Sequence, residues 1–217
     1  MAQAIITASL EHEMALYESG YRHIAGLDEA GRGAWAGPVA AAAVILPLDR
    51  ADLAEALAGV TDSKRLTPDR RKELVPIIKA VAIDWGVGRA TSREIDEQGI
   101  ITATKLAMER ALRKLDKDAD YLLIDALNLP EHVAPLDQQQ KIIKGDQRSL
   151  SIAAASILAK VNRDSFMEAL DEQYPEYGFA GHKGYGTKGH RARLTSHGPC
   201  RAHRYTFKPI MTWQQLL

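Results

Sequence analysis

The sequence predicts an α/β domain with a mixed central β-sheet flanked by helices, followed by a basic C-terminal helical segment. Three observations predict it. Short apolar runs with strand character alternate with longer segments of helical period, in the order strand, strand, helix, strand, helix, strand, strand, helix. The first two strands are joined by a glycine-rich segment, Gly31–Pro38. An alanine-rich helix late in the chain presents a small-residue face, Ala153, Ala154 and Ala155, which implies close packing against a sheet.

Each element has a local reason. Glu11 to Ser19 sets Met14 and Tyr17 on the stripe begun by Leu10 and stops at Gly20, a short amphipathic helix. His23–Leu27 and Val39–Leu46 read as strands. Ser63–Pro68 is a turn, and a helix follows from Asp69 to Ala80, with Pro68 favourable at its start. Ile83–Ala90 is a third strand. Thr104–Leu115 is helical, with Leu106, Met108, Leu112 and Leu115 among its apolar positions. Tyr121–Ile124 and Lys141–Ile143 are short strands. Ser149 or Ser151 caps the alanine-rich helix, which runs to Leu170. Gly178–Gly189 breaks the pattern and introduces a basic helix at Gly189–Ser196.

The 217 residues suit one large domain, and a chain of that size needs no disulfide or metal merely to fold. A hydrophobic content of 46% with 26% charged residues excludes disorder as the dominant state. Cys200 is the single cysteine, which rules out a disulfide framework or a thiolate zinc cluster; its spacing to His203 makes no metal pair, and nothing around it marks a nucleophile. The acidic N-terminus lacks the basic region of a signal peptide. The longest uncharged stretch, Ala34–Leu48, holds two prolines and a glycine and is too short to span a bilayer. A soluble, cytoplasmic, monomeric protein without membrane contact is expected.

Charge is unevenly placed. Lys and Arg balance Asp and Glu at 28 each, yet residues 1–60 carry −5 and residues 141–217 carry +6. From Tyr177 onward there is no acid, while Lys183, Tyr185, Lys188, Arg191, Arg193, Arg204 and Tyr205 interleave cations with aromatics and glycines. That pattern suits a polyanion with stackable bases or sugars.

Four carboxylates stand at element boundaries. Asp28 and Glu29 end the first strand, Asp125 ends the strand after Tyr-Leu-Leu-Ile, and Asp146 precedes the alanine-rich helix. Ligand sites of open α/β sheets gather outside strand ends. Acids meeting there repel unless a cation lies between them. With oxygen ligands that cation is Mg²⁺ or Mn²⁺ rather than zinc, and the site suits two-metal phosphoryl chemistry. Adjacent strand residues point to opposite faces, so Asp28 and Glu29 reach one ion only if one lies past the strand end or acts through its carbonyl or a water. Gly31-Arg32-Gly33 lets backbone amides approach a ligand closely, or makes a tight turn. Lys64 stands in a polar turn suited to phosphate, and His182–Thr187 presents Lys183 and Tyr185 on a glycine backbone.

At these residues the sequence resembles bacterial ribonuclease HII, the type 2 ribonuclease H family. The matching stretches are GLDEAGRGAWAGPVAAAAVIL, TDSKRLT, EIDEQGIITATKLAME, LLIDALNLP, KGDQRSLSIAAASILAKVNRD, YGFAGHKGYGTKGH and the HRYTF region, in the family's order from His23 to Pro209. The resemblance implies an RNase H-like fold for residues 21–210, with 1–20 as a helical extension and 211–217 as a tail. It implies hydrolysis of RNA in RNA–DNA hybrids and incision 5′ to a single ribonucleotide in duplex DNA, leaving 5′-phosphate and 3′-hydroxyl ends. Asp28, Glu29, Asp125 and Asp146 fall on the family's acidic, metal-binding positions. Gly31, Arg32 and Gly33 match the motif that senses the ribose 2′-hydroxyl through its backbone, and Tyr185 matches the tyrosine at the RNA–DNA junction. Lys64 lies in a segment associated with phosphate contacts; Asp164 also matches, as a structural residue. Ala34 and Ala126 depart from the usual proline and glycine. Gln214-Gln215-Leu216-Leu217 faintly resembles a replication-clamp peptide. A binding protein without catalysis is disfavoured by the four intact acids, and a DNA-directed enzyme of the same fold by the Gly-Arg-Gly and Tyr185 pair.

Overall fold

The computed structural model describes residues 8–214. Strands β1 (Ile24–Ala30), β2 (Val39–Ile45), β3 (Asp84–Ala90), β4 (Tyr121–Asp125) and β5 (Gln139–Ile142) form one sheet in the order β3-β2-β1-β4-β5. Helices are α1 (Glu11–Glu18), α2 (Leu53–Ala56), α3 (Pro68–Val81), α4 (Ser92–Gln98), α5 (Ile100–Leu112), α6 (Leu150–Gln173), α7 (Phe179–His182), α8 (Lys188–His197) and α9 (Lys208–Gln214). The sheet is mixed: β1 runs antiparallel to β2 and β2 to β3, while β1–β4 and β4–β5 are parallel. Among the described residues no helix is long and apolar enough to cross a membrane.

Helices cover both faces, which explains why β2, Val-Ala-Ala-Ala-Ala-Val-Ile, is buried along its whole length and lacks strand alternation. Ala42 and Val44 pack with Ala153, Ala154 and Ile157 of α6, and Ala41, Ala43 and Ile45 with Ala103, Ala107 and Ala111 of α5. The approach on the α6 side is close because Gly26 of β1 has no side chain: a Cβ there would stand 2.3 Å from the Ser151 carbonyl carbon. A third cluster, with Met167 and Leu170 of α6 against Tyr177, Phe179, Leu194 and Ile210, fixes the C-terminal segment to the body.

Several boundaries differ from the expectations. β1 continues to Ala30 because its residues past Leu27 stay paired with β2, Asp28 opposite Ala42 and Glu29 opposite Ala41. β5 begins two residues earlier than expected, at Gln139, whose buried side chain bonds the backbone of Leu129 and Ala134. A helix precedes Thr104 as well: Thr91 and Glu94 form a reciprocal capping box for α4, and Gly99 (φ 78°) turns the chain directly into α5. Ser149, not Ser151, caps α6 by accepting from the Ile152 N–H, and α6 runs on to Gln173. The basic segment is partly internal: Arg204, His190 and His203 are fully buried.

Candidate active site

The parallel ladder between β1 and β4 ends with Leu27 beside Ile124. The next residue on each strand is an acid, Asp28 and Asp125, at the carboxyl ends of adjacent parallel strands. Both lie on the α6 face, since Leu27 and Ile124 pack on the α5 face. Asp28 is 3% exposed, and its Oδ1 accepts from the Glu29 N–H at 2.7 Å. Asp125 Oδ1 accepts from the Gly145 N–H at 2.7 Å, which ties β4 to the turn carrying Asp146. Glu29 starts from the opposite side of the strand and takes the Arg32 guanidinium at 3.2 Å.

Asp146 lies in a single 3-10 turn, Gly145–Gln147, entered through Lys144 at φ 55°. Its Oδ2 meets Lys64 Nζ at 3.2 Å, although the lysine side chain remains 76% exposed. The turn carrying Lys64 is held by buried Arg71 of α3, which donates to the carbonyls of Ser63 and Leu66 at 2.7 Å each. Sequence reasoning missed Asp62 in the same stretch. It is buried, caps that turn through the Lys64 N–H, accepts from Gln147 and adds its charge to Asp146. Among the described residues, the non-glycine residues with left-handed backbone are Ala126, Lys144 and Lys183, each at or within two residues of a predicted site residue. The usual glycine missing at 126 is therefore missing where the backbone favours one.

The electrostatics show one interacting cluster. Burial, then the charges of Glu29 and Asp125, push the Asp28 carboxyl well above the usual range. Burial raises Glu29 against the pull of Arg32, with Asp125 adding to the rise. Burial also raises Asp146 against Lys64, helped by Asp62 and Asp125. Asp28 Oδ2 and Glu29 Oε2 are buried without a hydrogen-bond partner. Unpartnered carboxylate oxygens and mutually raised acids fit a cation. Among the described residues no three His, Cys, Asp or Glu side chains already converge on one point; each acid has one oxygen occupied by a protein donor.

Gly31 (φ 96°), Arg32 and Gly33 follow β1 directly, with Gly33 exposed and Gly31 buried. Trp35 N–H donates to the Gly184 carbonyl at 2.8 Å, so this loop and the turn carrying Tyr185 are bonded together. Tyr185 is half-buried, with the Arg163 and Lys160 cations 5.3 and 5.8 Å from its ring centre. Lys183 is not a free cation: its Nζ lies 2.7 Å from Glu168 and 2.6 Å from the Ala180 carbonyl. Exposed basic groups of this segment include Lys188, Arg191 and Arg193 on α8, Arg191 lying 5.0 Å from the Trp35 ring centre. Burial pushes up the Cys200 thiol, which sits 3.3 Å from His203 Nδ1. A cleft of about 490 Å³, lined by Glu109, Leu112, Arg113 and His132, opens beside Asp118–Asp120, which precede β4, and none of the four acids lines it.

A mixed sheet with acids on the ends of its central parallel strands defines a phosphodiester hydrolase of the RNase H-like fold. The comparisons make this specific. The sequence model described as Ribonuclease HII matches residues 25–210, and the chain belongs to that family. The Ribonuclease HII of Roseiflexus castenholzii is 53% identical over 202 residues, covering 93% of this chain and 89% of the relative. The crystal structure of ribonuclease H2 from Pyrococcus horikoshii superposes with a TM-score of 0.74 at 27% identity, covering 89% of this chain and 97% of that one. Bst ribonuclease HIII in complex with Mn²⁺ shares the fold at 19% identity and a TM-score of 0.65, covering 94% of this chain and 72% of that one. The chain is thus an endoribonuclease that acts on RNA–DNA hybrids.

Proposed function

We propose that Asp28, Glu29, Asp125 and Asp146 hold two divalent cations, Mg²⁺ or Mn²⁺, and that the enzyme also incises 5′ to a single ribonucleotide in duplex DNA. The observation that carries this reading is that Asp28 and Asp125 are the residues directly after the last parallel pair, Leu27–Ile124, with the buried Asp28 Oδ2 left without a partner. Such ions, when bound, supply positive charge that activates water and stabilises the leaving oxygen. In the hydrolysis a water oxygen bonds to phosphorus, the P–O3′ bond breaks and the 3′ oxygen takes a proton. The products carry a 5′-phosphate and a 3′-hydroxyl.

The chain's own residues orient the substrate. Lys64 stays exposed beside Asp146, placed to meet a phosphate oxygen. The Gly31–Gly33 backbone approaches the ribose, whose 2′-hydroxyl distinguishes RNA from DNA. Arg204 Nη1 holds the Arg32 carbonyl at 2.8 Å. The peptide's other pole, the Gly33 N–H, therefore points away from the protein interior toward the substrate. The Tyr185 ring packs on the following deoxyribose, where a 2′-hydroxyl would crowd it. Lys183 contributes through the turn it belongs to, its charge being neutralised by Glu168. A clamp contact through Gln214–Leu217 concerns a segment whose last three residues lie outside the described residues.

The test is cleavage of a duplex with one embedded ribonucleotide, with the ends mapped. EDTA abolishes incision and Mg²⁺ or Mn²⁺ restores it at the 5′ side of the ribonucleotide. Full activity after exhaustive chelation, or a cut on the 3′ side, contradicts the reading.

A further inference from the structure

Arg163 of α6 is fully buried, yet its hydrogen bonds go to three backbone carbonyls and none to a carboxylate. Nε donates to Pro38 at 2.9 Å, and Nη2 donates to Ala36 at 3.3 Å and to Lys183 at 3.0 Å. Nη1 is buried without a partner. A guanidinium taken out of water without a counter-ion is expensive, and an apolar side chain of similar size would fill the same space more favourably. The geometry accounts for an arginine here: the three carbonyls belong to two separate segments, the loop after Gly31 and the turn before Tyr185.

The same guanidinium touches both ends of the specificity device. Gly31 lies against it so closely that a Cβ would stand 1.9 Å from Nε. On the other side its carbon is 5.3 Å from the Tyr185 ring centre. The other fully buried arginine among the described residues, Arg204, does less: its Nε and Nη1 bond Gly37 and Arg32, both in the Gly31–Pro38 loop. Of the two, Arg163 alone bonds across the gap.

We propose that Arg163 is a positioning residue that fixes the spacing between the ribose-reading backbone at Gly31–Gly33 and the ring of Tyr185. It thereby sets the preference for a ribonucleotide followed by DNA. The inference rests on the reading of Tyr185 as the junction contact. Because the two readers must engage successive sugars, a small change in their separation weakens junction recognition more than cleavage within a continuous RNA strand. Lysine cannot replace the planar fork, because one ammonium does not reach three carbonyls fixed for a guanidinium.

The experiment measures kcat/KM on a single-ribonucleotide duplex and on a uniform RNA–DNA hybrid, for wild type, Arg163→Lys, Tyr185→Ala and the double variant. The ratio of the two substrates is the readout, since a loss of folded protein lowers both rates alike. Tyr185→Ala is expected to lower the ratio about tenfold and Arg163→Lys about fivefold. The double variant should fall no further than Tyr185→Ala, because the two act through one contact. An unchanged ratio in Tyr185→Ala overturns the underlying reading of the tyrosine. A changed ratio there with an unchanged one in Arg163→Lys, or two effects that multiply in the double variant, overturns the role of Arg163. Should the lysine variant not fold, Arg163→Gln, which keeps a planar N–H head without the buried charge, gives the same comparison.

Discussion

Removing the Glu13 carboxylate should destabilise the whole domain, although the residue lies in a short helix at the chain's edge. Glu13 of α1 is fully buried, and its Oε1 accepts three hydrogen bonds at the start of α6: Ser149 Oγ at 2.6 Å, Ser151 N at 2.9 Å and Ser151 Oγ at 2.7 Å. The carboxylate also faces the positive end of the α6 dipole. Hydrogen bonds to a charged group contribute about 1.5–3 kcal/mol each, but the three share one oxygen and the buried charge has its own desolvation penalty. Breaking such a network from one side costs about 3–5 kcal/mol, because the remaining buried donors lose their acceptor. At about 2–4 °C per kcal/mol for a chain of this length, Glu13→Ala should lower the thermal midpoint by about 6–20 °C. Glu13→Gln keeps an acceptor oxygen and loses the charge, so about 1–2 kcal/mol is expected. Thermal and urea unfolding of both variants is the assay. An alanine variant melting within 2 °C of wild type would refute the reasoning.

Two further outcomes follow from charge. A carboxyl raised in the folded state binds its proton more tightly there than when unfolded, so its ionisation destabilises the fold as pH rises from about 4. Asp28→Asn, compared with wild type without metal, should therefore gain stability with increasing pH, from nothing below pH 4 to a maximum above the raised Asp28 pKa. The buried His190 and His203, both pulled down to about 4 by burial, act alike in the two proteins and cancel. A variant less stable than wild type at pH 7 would recast Asp28 as a structural residue. Replacing Lys188, Arg191 and Arg193 together by glutamine should reduce the salt dependence of duplex binding by about 2–3 in log–log slope. An unchanged slope would place α8 away from the nucleic acid.

Much of the fold was legible because its signals are local. Thr67 accepts from the Arg70 N–H and Pro68 opens α3, as their residue types suggest. The capping box Thr91-x-x-Glu94 was equally present in the sequence, and its helix was passed over. Burial of polar groups was not legible, because the partners are remote. Glu13 reads as one more surface acid until the fold brings it to serines 136 and 138 residues away. Arg163 likewise lies 125 residues from the Pro38 carbonyl that it holds. The basic tail shows the converse limit: counting charges cannot separate Arg204, which is buried, or Lys183, which is neutralised, from the exposed cations of α8. Asp28 and Asp125 were found as acids at strand ends, whereas the parallel register that sets them side by side belongs to the structure.

Titration of Mn²⁺ into wild type and Asp125→Asn without substrate, followed by loss of the free-ion paramagnetic resonance signal, tests the central claim most directly. If the acids hold the ion, wild-type affinity rises with pH, because bound cations must displace protons from carboxyls raised by burial and mutual repulsion. In Asp125→Asn the affinity falls at least tenfold while the thermal midpoint of the metal-free protein is kept or raised. Equal Mn²⁺ affinity in the two proteins would contradict the assignment of the four acids as the metal site.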